Sequence, residues 1–376
     1  SGLEKSFNEK LKQIKEPLQL TVDTDIQFLI RKELIKFHSI FRSKGSTVIL
    51  MNVNNGEVLS MVSYPDFDLN KRATINDVNF INRATKGVYE LGSVFKTFTV
   101  AAGLEEGLIK KDTEFLNLEK KLKCGKNIIS EYDKKISSNL TVEQILIRSG
   151  NIGSVRIGQK LEIEKLKSFL EKIGVLSKID FDIEEVGEPI SFKWGKCKLA
   201  TVSFGHGITT TPLQLAKGYA IIANGGFEIK PSLIKKTLKN NQNKKRLIKE
   251  GVSEQINEIL RKIVTTKEGT AGFANIKGYE VGGKTGTAEK AIIGGYTRKA
   301  KVNTFASIFP TTNPKYVMIV LLDEPKTSED YIYKYKNKSG SYKGTPFNTA
   351  GWTSVEVAGK IIQRIGPILA TKYIEN

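Results

Sequence analysis

The chain has 376 residues, 39% of them hydrophobic, which allows a sizeable core and excludes disorder as the overall state. Lys and Arg outnumber Asp and Glu by 59 to 40, a formal net charge of +19, yet the lysines are spread along the chain and densest over 235–249. That dispersal marks a solvated surface and speaks against nucleic acid as a partner, and neither a membrane span of roughly 18 apolar residues nor a secretory leader is present.

Residues 1–17 are polar and read as the tail of another unit. Ile26, Leu29, Ile30, Leu34 and Ile35 recur at helical spacing and predict an amphipathic helix over 24–42. The β-branched runs Ser46–Val53 and Glu57–Tyr64, joined by Asn54-Asn55-Gly56, predict a hairpin. The middle of the chain is helical in pattern: 92–106, 141–148, 163–173, a capping box at Thr211-Pro212-Leu213-Gln214 opening a helix to Asn224, and 253–264. Strands return at 278–288, 302–309 and 316–322, followed by a helix from Thr353 to about Tyr373. The simplest assembly is an α+β fold: one mainly antiparallel sheet covered by the terminal helices, with an all-helical subdomain inserted and the site in the cleft between them.

Cys124 and Cys197 belong to no CxxC or Cys/His grouping, so neither a metal nor a cofactor is expected. A bridge between them requires an oxidising compartment and a distance that sequence does not supply.

Only His38 and His206 are present, so a Ser-His-Asp enzyme would need one of them as base. His38 falls on the first helix, and His206, between two glycines, suits packing or hydrogen bonding better than catalysis. Ser93-Val94-Phe95-Lys96 offers another base, because i and i+3 at a helix start share a face. Ser232-Leu233-Ile234-Lys235 has the same form in a strand setting, so Ser93 depends on its company. That company is Lys284-Thr285-Gly286-Thr287 after Gly282-Gly283, and Ser149-Gly150-Asn151 at a helix end. The glycines are read as room for a peptide along the strand, Lys284 as a carboxylate anchor, and the backbone N–H of Thr287 with that of Ser93 as an oxyanion hole. Ser149 can relay a proton and Asn151 can hold an amide; Ser137-Ser138-Asn139 is a decoy placed before the helix. Ile292–Lys301, with Gly294-Gly295, is read as a mobile loop at the rim.

Those motifs, with Leu20-Thr21-Val22-Asp23, Asn82-Arg83-Ala84-Thr85, Tyr89-Glu90-Leu91-Gly92 and Asp323-Glu324-Pro325, make the chain resemble the transpeptidase domain of class B penicillin-binding proteins of the division-specific FtsI type. The resemblance covers nearly all of 20–365; Leu91 stands where proline is usual, and Gly150 where a second serine is common. It implies the penicillin-binding transpeptidase or serine β-lactamase-like fold. Residues 1–19 would be the remnant of an N-terminal pedestal domain and 20–376 the transpeptidase domain, with its sheet part near 20–75 and 270–376 and its helical part near 76–269. It further implies a periplasmic domain of an inner-membrane protein, its anchor absent from this chain, that cross-links peptidoglycan stem peptides during septal synthesis. Ser93 would be the nucleophile and Lys96 the base, with Ser149, Asn151 and Lys284 catalytic and Thr285, Gly286 and Thr287 binding substrate. Partners would be the D-Ala-D-Ala donor, an amine acceptor, β-lactams as covalent inhibitors, a glycan-polymerising synthase and other division proteins. A serine β-lactamase and a non-catalytic β-lactam-binding sensor are the alternatives. A free lysine titrates near ~10.4, so Lys96 needs its pKa lowered by roughly 3, about 4 kcal/mol. Desolvation and the like charge of Lys284 both act in that direction.

Overall fold

The structure, a computed structural model, describes residues 2–13, 16–68, 81–125, 127–235, 245–292, 295–334 and 340–373. The polar start forms a helix, α1 (Gly2–Gln13), with no buried residue, held to the body through Lys5 and Glu184 at 2.6 Å. Asp23 then starts α2 (Thr24–Ile40) by accepting from the Asp25 and Ile26 amides, and Ile26, Ile30, Leu34 and Phe37 form its buried stripe. β1 (Gly45–Asn52) and β2 (Val58–Tyr64) pair antiparallel across a turn in which Gly56 has φ +79°.

A 3-10 turn at Gly92–Phe95 runs into α3 (Lys96–Glu105). Two small additions follow that the apolar pattern does not announce: β3 (Glu114–Phe115) paired with β6 (Leu140–Thr141), and the hairpin of β4 (Lys121–Cys124) and β5 (Asn127–Ser130). The helices α4 (Val142–Ile147), α5 (Asn151–Lys172), α6 (Lys196–Val202), α7 (Pro212–Ala223) and α8 (Glu250–Thr265) complete the inserted helical part. The capping box at Thr211 and Gln214 is formed as expected, and Thr141 with Gln144 makes a second. α5 is twice as long as its periodicity suggests, with a kink at Glu162. Its first half carries Gly153 and Gly158, which look like breakers, but an added Cβ would lie 2.5 Å from the Ile145 side chain and 1.8 Å from Ser203 Oγ. Both glycines are there for close helix packing.

The chain returns to the sheet through β7 (Gly282–Ile292), β8 (Gly295–Phe309) and β9 (Tyr316–Asp323); β10 (Ile332–Lys334) and β11 (Ser341–Lys343) form a separate pair, and α9 (Ser354–Lys372) ends the fold. The sheet order is β2-β1-β9-β8-β7, antiparallel throughout. α2 and α9 pack together on one side while α7 lies against β9 and β8, so every residue of β1 and β9 is buried. Burial on both faces is why these strands read as continuous apolar runs without alternation. β7 is the edge strand and abuts the 3-10 turn of Ser93. Of the expected loop at 292–301, Ile292 ends β7 and 295–301 begin β8, with Ile293 and Gly294 outside the described residues.

Cys124 and Cys197 form a disulfide that ties the β4–β5 hairpin to α6, 73 residues away in sequence. Replacing both with alanine is expected to lower the unfolding free energy by about 4 kcal/mol, the chain-entropy value for a loop of that size. Urea unfolding would show it, and a midpoint equal to the parent protein's would mean that the bridge contributes nothing.

Candidate active site

Gly92 takes φ +65° and turns the chain so that Ser93 and Lys96 stack at i and i+3 of the 3-10 turn, closed by the Lys96 amide donating to the Ser93 carbonyl. The turn is held from behind: Tyr219 Oη donates to the Val94 carbonyl at 2.9 Å, and Phe95 meets Phe98 edge-on with ring centroids 5.5 Å apart. Lys96 is 0% exposed. Its Nζ turns to Ser149 and Asn151 instead of pairing with Ser93, donating to the Ser149 carbonyl (2.5 Å), Asn151 Oδ1 (2.7 Å) and Ser149 Oγ (3.2 Å).

Ser149 and Asn151 sit at the joint between α4 and α5, where Ser149 has φ 57°, the left-handed region that a non-glycine residue enters at some cost. Arg148 braces the joint from the rim by pairing with Asp133 (2.7 Å) and Glu268 (2.9 Å). Asn151 Nδ2 donates to the Ser130 carbonyl at 2.8 Å, and Glu131 accepts from the main-chain amides of Asn151 and Ile152. No spacing or motif in the sequence points to Glu131. It reaches the joint from a hairpin 20 residues upstream.

From the other wall, side chains of β7 alternate as a strand requires. Lys284, also 0% exposed, donates to Ser149 Oγ at 2.8 Å, so two lysine nitrogens share one hydroxyl. Thr285 and Thr287 line the cleft; Thr285 Oγ1 is 2.7 Å from Thr270 Oγ1, and Thr287 Oγ1 accepts from the Ala350 amide at 2.9 Å. The glycines do something other than expected. A Cβ on Gly286 would lie 2.1 Å from the Leu91 carbonyl, and one on Gly283 2.6 Å from that of Ala306. They admit neighbouring protein backbone, letting β7 close on the Ser93 turn. A Cβ on Gly92 would in turn lie 3.2 Å from the Thr287 nitrogen, which puts that amide beside the Gly92–Ser93 link.

Burial sets the charge state. Desolvation pulls Lys96 down to about 7, with the negative charge of Glu131 opposing it. Lys284 is pushed far below its ordinary range by burial and then by the charge of Lys96. Of the two expected causes, desolvation acts on Lys96, while the repulsion between the two lysines is felt at Lys284. An amine neutral near pH 7 beside a serine hydroxyl has the chemistry of a general base for acyl transfer.

The cleft measures about 1040 Å³ and is lined by Ser93, Ser149, Asn151, Thr285 and Thr287. It is also lined by His206, read from the sequence as a packing or hydrogen-bonding residue without a place in the cleft. The ring packs at a 40° tilt against Tyr296 with centroids 4.3 Å apart and stands 3.5 Å from Glu90. Tyr296, on β8, donates to Glu90 at 2.8 Å, so the hairpin after the Lys284 strand reaches the helical part. The decoys are structural: Ser232 Oγ donates to Asp182, Asn139 Oδ1 accepts from the Asn117 amide, and His38 Nδ1 lies 2.9 Å from Ser46 Oγ.

The profile of the penicillin binding protein transpeptidase domain matches residues 46–347. The chain belongs to this family. This transpeptidase domain is 33% identical over 365 residues to the probable peptidoglycan D,D-transpeptidase FtsI of Caulobacter vibrioides, covering 95% of this chain and 59% of that protein. It is 30% identical over 316 residues to the probable peptidoglycan D,D-transpeptidase PenA of Neisseria flavescens, covering 83% and 77%. Its fold matches the TP domain of Burkholderia pseudomallei penicillin-binding protein 3 with TM-score 0.79 at 25% identity, covering 94% of this chain and 96% of that one. The domain thus spans only 59% of the length of the Caulobacter relative.

Lys96 carries its proton below about pH 7 and loses it above, so acylation of Ser93 is expected to rise about tenfold per pH unit below neutrality and then level off. Stopped-flow acylation by a fluorescent penicillin between pH 5 and 9 would show the limb. Lys96→Ala should lower the plateau by about 10² to 10⁴.

Proposed function

We propose that this domain is a peptidoglycan D,D-transpeptidase that works through a Ser93 acyl-enzyme. The observation that carries the reading is the buried Lys96, neutral near pH 7 and held between Ser149 and Asn151. Neutral Lys96 takes the hydroxyl proton as Ser93 Oγ attacks the penultimate D-alanine carbonyl of a stem peptide. The Ser93 and Thr287 amides receive the developing oxyanion. As the C–N bond breaks, Ser149 passes its proton to the departing D-alanine and regains one from Lys96; an amine from a second stem then attacks the ester and loses its proton to Lys96, which returns one to Ser93 Oγ as the C–O bond breaks.

Lys284 anchors the donor's terminal carboxylate together with Thr285. Burial and the charge of Lys96 disfavour the protonated form of Lys284, and an arriving carboxylate would favour it. β-Lactams would enter as donor mimics and remain as adducts. Rapid hydrolysis of the β-lactamase type needs a base that activates water at the ester, and a carboxylate already engaged is poorly placed to serve as one. Glu131 spends both oxygens on main-chain amides, and Asp133 and Glu268 are paired with Arg148.

The similarity to FtsI and PenA relatives supports a role in septal wall synthesis, and the Cys124–Cys197 bridge suits an oxidising compartment such as the periplasm. Among the described residues no helix is long and apolar enough to cross a membrane. Residues 1–19, with α1 resting on Glu184, are read as the end of a preceding pedestal and its linker.

Intact mass after penicillin treatment is expected to show one stable adduct on the parent protein and none on Ser93→Ala; an adduct on the alanine variant would overturn the assignment. Lys284→Ala should slow acylation even at saturating substrate, and an unchanged saturated rate would limit Lys284 to binding.

A further inference from the structure

α5 begins at Asn151 with Gly150 in the capping position, so no side chain of its own covers the first amides of a 22-residue helix. Glu131 supplies the cover from outside the helix: Oε2 accepts from the Asn151 amide at 2.7 Å and Oε1 from the Ile152 amide at 2.8 Å. A carboxylate is the favoured occupant of a helix N-terminus, where the amides and the helix dipole both present positive charge. The adjoining residue completes the grip. The Ser130 carbonyl can only accept, so Asn151 must turn Nδ2 toward it (2.8 Å) and Oδ1 toward Lys96 (2.7 Å). Two consecutive residues of one strand end therefore fix both the main chain and the side chain of the residue that holds the base.

We propose that Glu131 is a positioning residue for acylation, setting Asn151 and through it Lys96. The proposal rests on the Ser93 acyl-enzyme reading. The segment that delivers Glu131 is a two-stranded hairpin, an element with marginal stability alone, and the Cys124–Cys197 bridge anchors it to α6. Glu131 also acts through its charge. The ionisable groups facing Lys96 are Glu131 from the hairpin and Lys284 from β7. At one rim Arg148 pairs with both Asp133 and Glu268, which leaves a single negative charge there, and Glu90, His206 and Glu289 line or adjoin the other. Since Glu131 raises the proton affinity of Lys96 against burial, removing its charge lets Lys96 titrate lower still.

The test is the pH profile of Ser93 acylation by a fluorescent penicillin in the full chain and in its Glu131→Gln and Glu131→Ala variants, with rates normalised to titrated folded sites. Both variants are expected to lose about ten- to a hundredfold in the plateau rate, the scale of a small misplacement of a catalytic group. Their acid limb should also move to lower pH, which a merely structural loss does not produce. Unchanged plateau and limb, or a loss that disappears on normalisation while the limb stays in place, would overturn the proposal. A parent protein that never acylates would instead sink the Ser93 reading itself, so the two failures are distinguishable.

Discussion

Two lysine ammonium groups buried around a single serine hydroxyl are the constraint that the rest of this molecule accommodates. Neither Lys96 nor Lys284 reaches water, and both donate to Ser149 Oγ. Burial and mutual repulsion disfavour holding both charges at once, and the one carboxylate that opposes this at Lys96 is Glu131. A buried lysine that would ordinarily be a destabilising defect is, in the proposed mechanism, what supplies a base at neutral pH. The surrounding structure pays for it by over-determining the positions: the α4–α5 joint holds Ser149 in a left-handed conformation, and β7 is drawn against the Ser93 turn through glycines.

The architecture explains why the site lies where it does. β7 is the last strand of the sheet, so its outer edge is free to face the helical part. The helical part contributes two chain breaks to the same cleft, the 3-10 turn into α3 and the joint from α4 to α5. Each break exposes polar backbone that an intact helix would have used up. Three segments that are distant in sequence therefore meet as a strand edge against two helix starts.

The elements with strong local chemistry were legible in the sequence: the stripe of α2, the Asn-Asn-Gly hairpin, the Thr211 capping box and the apolar runs of β1 and β9. The candidate site was legible too, because Ser93 with Lys96, Ser149 with Asn151, and Lys284 with Thr287 occur in an order and on elements that chance seldom supplies. What remained hidden depends on contacts between distant segments. Glu131 looks like any surface glutamate until the hairpin folds over α5. Gly153 and Gly286 have the same composition signature as loop or substrate-binding glycines, and only the positions of Ile145 and the Leu91 carbonyl show otherwise. His206 enters the cleft because β8 brings Tyr296 to it, an encounter that no local pattern encodes.

The cysteine bridge makes a covalent ring of the chain from 124 to 197, and α4, α5 and the Ser149–Asn151 joint all lie inside that ring. A protease cut at any exposed point within it opens the ring yet leaves both flanks attached to the body. The half of the site carried by this segment is therefore retained after nicking, whereas an equivalent cut in the β7–β8 hairpin has no such tether.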